Sequence, residues 1–124
     1  MESLKAGNGL EPGIDLGHVN SAEQRKLISD MANDLIDKTE GTIRTGGCLL
    51  TGPAYDAGYF YAPTPVSVIN LRSRLLNDEI FGPVLPVMSV PDLETAIREA
   101  NRSRYSLSAS IWTSNLATTK QGFN

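Results

Sequence analysis

The chain has 124 residues, enough for one modest domain, and 40% of them are hydrophobic. Eleven basic against 14 acidic residues leave a formal net charge of -3 with no basic stripe, so nucleic acid is not an expected partner. No stretch approaches the roughly 20 apolar residues that span a bilayer, the first residues lack the apolar core of a secretory leader, and one cysteine with one histidine is too few for a metal framework; a soluble, cytoplasmic chain with neither metal nor membrane is expected.

The opening segment, Gly7 to Gly17, holds four glycines and a proline in eleven residues and reads as turn-rich irregular backbone. Gly7 and Gly9 do not make a dinucleotide fingerprint, because no strand precedes them and no helix follows directly. At Ser21 the texture changes. Ser21 and Gln24 have the spacing of a capping box, and Ala22, Leu27, Ile28, Met31, Ala32, Leu35 and Ile36 recur at helical period, which predicts a helix over 21–38 stopped near Gly41.

From Thr42 to Val90 short strands are predicted at Thr42–Arg44, Cys48–Thr51, Gly58–Tyr61 and Val66–Ile69. Pro83 and Pro86 bracket the apolar run Val84–Val90, and the missing N–H of proline predicts pairing only beyond Pro86. Asp92 should cap a second helix that presents Leu93, Ala96, Ile97 and Ala100 on one face and ends near Asn101. Leu107–Trp112 alternates apolar and small polar residues and is predicted as the clearest strand. Asn115 is a candidate cap for a third helix from Leu116, which the end of the chain at Asn124 cuts short. Strands and helices in alternation predict an α/β layer with at least some parallel pairing, in one domain without an internal boundary.

Four segments carry a resemblance. Asp78-Glu79-Ile80-Phe81-Gly82-Pro83-Val84, Gly7-Asn8-Gly9-Leu10-Glu11-Pro12-Gly13, Gly58-Tyr59-Phe60-Tyr61-Ala62-Pro63-Thr64 and the stretch from Ala96-Ile97 through Asn101 to Tyr105-Ser106-Leu107-Ser108-Ala109 stand in order and resemble signatures of the aldehyde dehydrogenase superfamily. The resemblance runs over nearly the whole chain. One departure is Ser106, where the family usually has glycine. The resemblance implies part of a catalytic domain with a twisted, mostly parallel sheet flanked by helices. It also implies oxidation of an aldehyde to a carboxylic acid with NAD or NADP, in a homo-oligomer. Gly7–Gly13 resembles the corresponding loop of semialdehyde-oxidising members.

The nucleophilic cysteine, the general-base glutamate and the glycine-containing cofactor turn of that family lie N-terminal to the matched region. A separate N-terminal half, or other sequence, would have to supply them, and the 124 residues alone are expected to be inactive. By the same resemblance Glu79 and Phe81 are the cofactor-binding residues. A carboxylate has two oxygens that can accept from the two vicinal hydroxyls of the nicotinamide ribose, and Phe81 would pack against the same part of the cofactor. Gly82 and Pro83 would set the direction of that segment. No residue is assigned a catalytic or metal role.

Cys48 follows Gly46-Gly47 with no base near it in sequence, so it reads as a small buried hydrophobe and not as the thiolate that attacks an aldehyde. His18 reads as a loop residue, and Arg72, Arg74 and Arg98 as solvated charges. The competing reading is a non-catalytic remnant, or a split-gene interaction module that pairs through an exposed edge at Leu107–Trp112.

Overall fold

A computed structural model describes residues 1–122. The chain divides into two compact units, Met1–Met88 and Ser89–Asn124.

In the first unit, α1 (Ala22–Asp37) starts where the capping pattern places it: the Ser21 hydroxyl accepts from the Gln24 N–H at 3.1 Å. Ile28, Met31, Ala32 and Leu35 are buried along one face, while Leu27 and Ile36, on the margins of the predicted stripe, stay partly open. The helix ends at Asp37, within a residue of the expected 38, and Gly41 is not part of its cap. The Thr39 N–H donates to the Ile36 carbonyl and the Glu40 N–H to the Leu35 carbonyl, both at 2.9 Å, with Thr39 at φ +56. This is a Schellman ending with a β-branched residue where glycine is the common choice. Gly41 instead opens β1, and a Cβ there would meet the Ser67 carbonyl of the neighbouring strand.

The sheet has three strands in the order β1 (Gly41–Ile43), β2 (Thr64–Val68), β3 (Val84–Val87). β1 and β2 are antiparallel with Thr42 opposite Ser67, and β2 and β3 are parallel with Val66 opposite Pro86. The parallel pair requires a crossover, and the chain between Val68 and Val84 supplies it with the one-turn helix α2 (Arg74–Asn77). The α/β class is as expected, with one parallel and one antiparallel pair.

Pairing of β3 begins at Val84 and runs through Pro86, where pairing only beyond Pro86 was expected. An edge strand needs donors on one side only, so a residue without an N–H is accommodated on the other. Cys48–Thr51 and Gly58–Tyr61 do not form strands but meet at a single antiparallel bridge, Leu49 opposite Tyr61. Thr64, Val66 and Val68 face inward and, with Val84, Leu75 and Tyr61, close the core against Ile28, Met31 and Leu35.

In the second unit α3 (Leu93–Ala100) is capped by Asp92, whose carboxylate accepts from the Thr95 N–H at 2.7 Å. α4 (Leu116–Gly122) follows Asn115, whose side-chain oxygen accepts from the Ala117 N–H at 2.9 Å. The predicted strand Leu107–Trp112 is not a strand: no ladder forms there among the described residues, and Leu107 and Trp112 are more than nine-tenths exposed. Alternation provides a face, but a strand exists only through hydrogen bonds to a neighbour, and none pairs with this segment among the described residues. No helix among the described residues is long and apolar enough to cross a membrane.

Candidate functional site

The segment Asp78–Val84 joins α2 to β3 and alternates in direction. Asp78 is held by the Arg74 guanidinium at 3.2 Å, Ile80 packs on the core, the Pro83 carbonyl accepts from the Thr64 N–H at 2.8 Å, and Val84 is buried. Between these inward anchors Glu79 and Phe81 are exposed, Phe81 to 75%. An aromatic ring left this open has no packing reason of its own. The Glu79 carboxylate makes no hydrogen bond or ion pair among the described residues, so both oxygens are available to accept.

Phe81 stands at φ +44. A non-glycine residue in the left-handed region carries a backbone cost of roughly 1–2 kcal/mol and persists only where its neighbours over-determine it. The neighbours here belong to α1. The Gln24 side-chain amide donates to the Ile80 carbonyl at 2.5 Å across 56 residues of sequence. At Gly82 a Cβ would run into Ile28, so the absence of a side chain lets the backbone lie against the helix. Asn20, Gln24 and Phe81 line an open hollow of about 470 Å³. Glu79 is not part of that lining.

The resemblance singled out Glu79 and Phe81, and the structure has both on one exposed loop; the sequence reading missed Gln24, which it took only as half of a capping box. The signal was present in part: a capping box accepts glutamate or glutamine at that position, but only glutamine can donate to a carbonyl.

Cys48 is exposed, not buried. Its backbone is engaged, since its carbonyl accepts from the Ala62 N–H at 2.9 Å, but Leu49 beside it is also open and nothing covers that side of the segment among the described residues. His18 lies on the surface as expected, edge-on to Tyr59 and Phe60, and its Nδ1 lies 2.6 Å from the Val19 carbonyl. Arg74 reaches Asp34 of α1 at 3.8 Å as well as Asp78, a half-exposed pairing of small energetic weight. Burial, and second the nearby Cys48, push the Tyr61 phenol above its ordinary value, and its hydroxyl has no hydrogen-bond partner among the described residues.

The sequence profile of the Aldehyde dehydrogenase family matches residues 1–123. Among similar proteins, the succinate-semialdehyde dehydrogenase [NADP(+)] of Mycobacterium avium is 33% identical over 117 residues, which are 94% of this chain and 24% of that protein. The lactaldehyde dehydrogenase structure from Escherichia coli superposes with a TM-score of 0.88 at 30% identity, covering 99% of this chain and 25% of that one. The betaine aldehyde dehydrogenase of Staphylococcus aureus in complex with NAD+ gives a TM-score of 0.87 at 27% identity, covering 98% and 24%. The chain thus spans about a quarter of the length of these relatives. A profile match across both units, with the same backbone in solved relatives, means that the chain belongs to the aldehyde dehydrogenase family.

Proposed function

We propose that this chain is part of the catalytic domain of an NAD(P)-dependent aldehyde dehydrogenase, and that its contribution to the reaction is to position the cofactor. The observation that carries this reading is the outward pair Glu79 and Phe81 on a loop whose backbone is fixed between them. Both units belong to that one domain in this proposal, supported by a profile match that runs without a break from residue 1 to 123.

The dinucleotide, when bound, supplies the hydride acceptor. The residues present fit its ribose: a carboxylate with both oxygens open can accept from two vicinal hydroxyls, and an exposed aromatic ring two residues on can pack against the adjoining rings. NAD and NADP are both compatible, since the contact concerns the nicotinamide side of the molecule. Catalytic groups come from outside these 124 residues, in the same polypeptide or in a second chain. The aldehyde is a semialdehyde in the relative from M. avium, by its name, and we carry that substrate class over as the first to test. A reducing, cytoplasmic compartment suits an exposed lone thiol at Cys48.

The test is Glu79→Gln in an enzyme reconstituted with the N-terminal portion that the relatives possess. The change keeps shape but converts one acceptor into a donor, and a hydrogen bond to a charged group is worth about 1.5–3 kcal/mol, or roughly 10- to 150-fold. The loss should fall on the hydride-transfer step, so that a primary isotope effect with deuterated aldehyde emerges or grows. Unchanged cofactor affinity together with an unchanged hydride-transfer rate would remove Glu79 from the site. The 124-residue chain alone should reduce neither NAD nor NADP with any aldehyde, and turnover abolished by Cys48→Ser would overturn that expectation.

A further inference from the structure

We propose that Gln24 is a positioning residue for the Glu79–Phe81 loop, acting through the backbone at Ile80; this rests on the cofactor role proposed for that loop. Gln24 is the third residue of α1, where a capping-box side chain ordinarily returns to the N–H of the cap. Here its amide instead donates to the Ile80 carbonyl. One helical turn further along the same face, Ile28 lies against Gly82 so closely that no Cβ fits between them. α1 therefore holds the loop at the residues on either side of Phe81, one by a hydrogen bond and one by contact. The backbone between two such fixed points takes up the turn at Phe81, with φ +44, and leaves the Glu79 carboxylate and the Phe81 ring facing outward. Without the Gln24 donor, Ile80 has no tie to the helix start, and Phe81 is free to relax to negative φ, the direction favoured for any residue with a Cβ.

The chemistry explains the residue type. Glutamate at the same position would serve the helix start equally well, and better for the helix dipole. It would nevertheless turn a donor toward the Ile80 carbonyl into a second acceptor. Gln24→Glu should therefore fold as α1 does now while releasing the loop, and Gln24→Leu removes the donor with similar volume.

Two measurements test this. In the isotope-labelled 124-residue chain, the three-bond HN–Hα coupling and the Cα shift of Phe81 report its φ. They should leave the left-handed range in both variants, with the α1 amide shifts beyond the first turn unchanged. Phe81 remaining left-handed in both overturns the proposal, whatever Glu79 does.

In the reconstituted enzyme, Gln24→Leu should raise the KM for the dinucleotide and lower hydride transfer by about 3- to 10-fold in total, the range for one neutral hydrogen bond. The aldehyde KM should stay where it is. Combined with Glu79→Gln, the second substitution should add little, because both act on one contact; full additivity would show that Gln24 does not work through that loop and would overturn the proposal. Failure of the cofactor reading is separately visible: Phe81 would move on loss of Gln24 while Glu79→Gln left the cofactor unaffected.

Discussion

The two units use the same local grammar with different results. α1 and α3 each begin on a side chain that accepts from the third helical N–H, Ser21 in one and Asp92 in the other. Both carry an apolar stripe at helical period. Yet α1 buries Ile28, Met31, Ala32 and Leu35, whereas α3 buries none of its residues, and the segment after it leaves Leu107 and Trp112 open. The contrast separates two contributions that are usually merged. A cap and a period specify where a helix is and which face is apolar; stability comes from what covers that face, and this the helix does not encode.

The sharpest break between the units should come from side-chain truncation. Met31→Ala, in the packed face of α1, should cost about 2–5 kcal/mol in a urea melt. Ile97→Ala, at the corresponding kind of position in α3, should cost about 0.5 kcal/mol or less. Amide exchange should follow, slow at Val66 and Val68 and fast from 105 to 113. Equal costs at Met31 and Ile97 would mean that the second unit has a core of its own.

Next in size is Tyr61→Phe, which removes a buried hydroxyl without a partner. Replacing such a group with an apolar one of the same shape should stabilise the first unit, by up to about 1 kcal/mol. The pH dependence has a definite sign. A phenol whose folded value is raised above the unfolded one, near 10, favours the folded state fully below that pH, and the advantage is lost as pH rises through the folded value. Wild type should therefore weaken in alkali more than Tyr61→Phe does, as melts from pH 8 upward would record.

Thr39→Gly should also stabilise, again by up to about 1 kcal/mol: relief of the left-handed penalty at φ +56 exceeds the entropy cost of glycine. A loss of stability would show that the Thr39 side chain contributes something its backbone position conceals.

The smallest effect belongs to acid. Asp92 is lowered first by the Thr95 backbone N–H and second by the Thr95 side chain, and Glu23 first by its own backbone N–H and second by the Ser21 hydroxyl. For each, the stabilisation is complete above the unfolded value, about 4, and disappears as pH falls through the lower folded value. Because α1 is held by its core and α3 is not, carbonyl shifts between pH 5 and 2 should show α3 fraying while α1 persists. Asp92→Asn should keep the cap and flatten that response.

These particulars also mark what was legible in the sequence. Both long helices were, because capping and period are local properties of neighbouring residues. The Glu79 and Phe81 pair was legible as a motif and lies on one exposed loop. Three features were not. Leu107–Trp112 has the alternation of a strand but no neighbour to pair with, and partners are not written in the strand itself. The left-handed turn at Phe81 follows from contacts with Gln24 and Ile28, more than fifty residues away. Cys48 is apolar enough for a core yet lies open, since residue type limits burial without deciding it.

The exposure of Trp112 has an optical consequence. It is the single tryptophan of the chain, 93% open, with its indole N–H 3.3 Å from the Ser110 hydroxyl. The aromatic side chains buried in the first unit are Phe60 and Tyr61. Excited selectively, the indole should emit at the red wavelengths of a ring in water and be quenched readily by small solutes. A polypeptide that covers Trp112 will shift its emission to the blue, so the chain carries its own reporter for assembly at that surface.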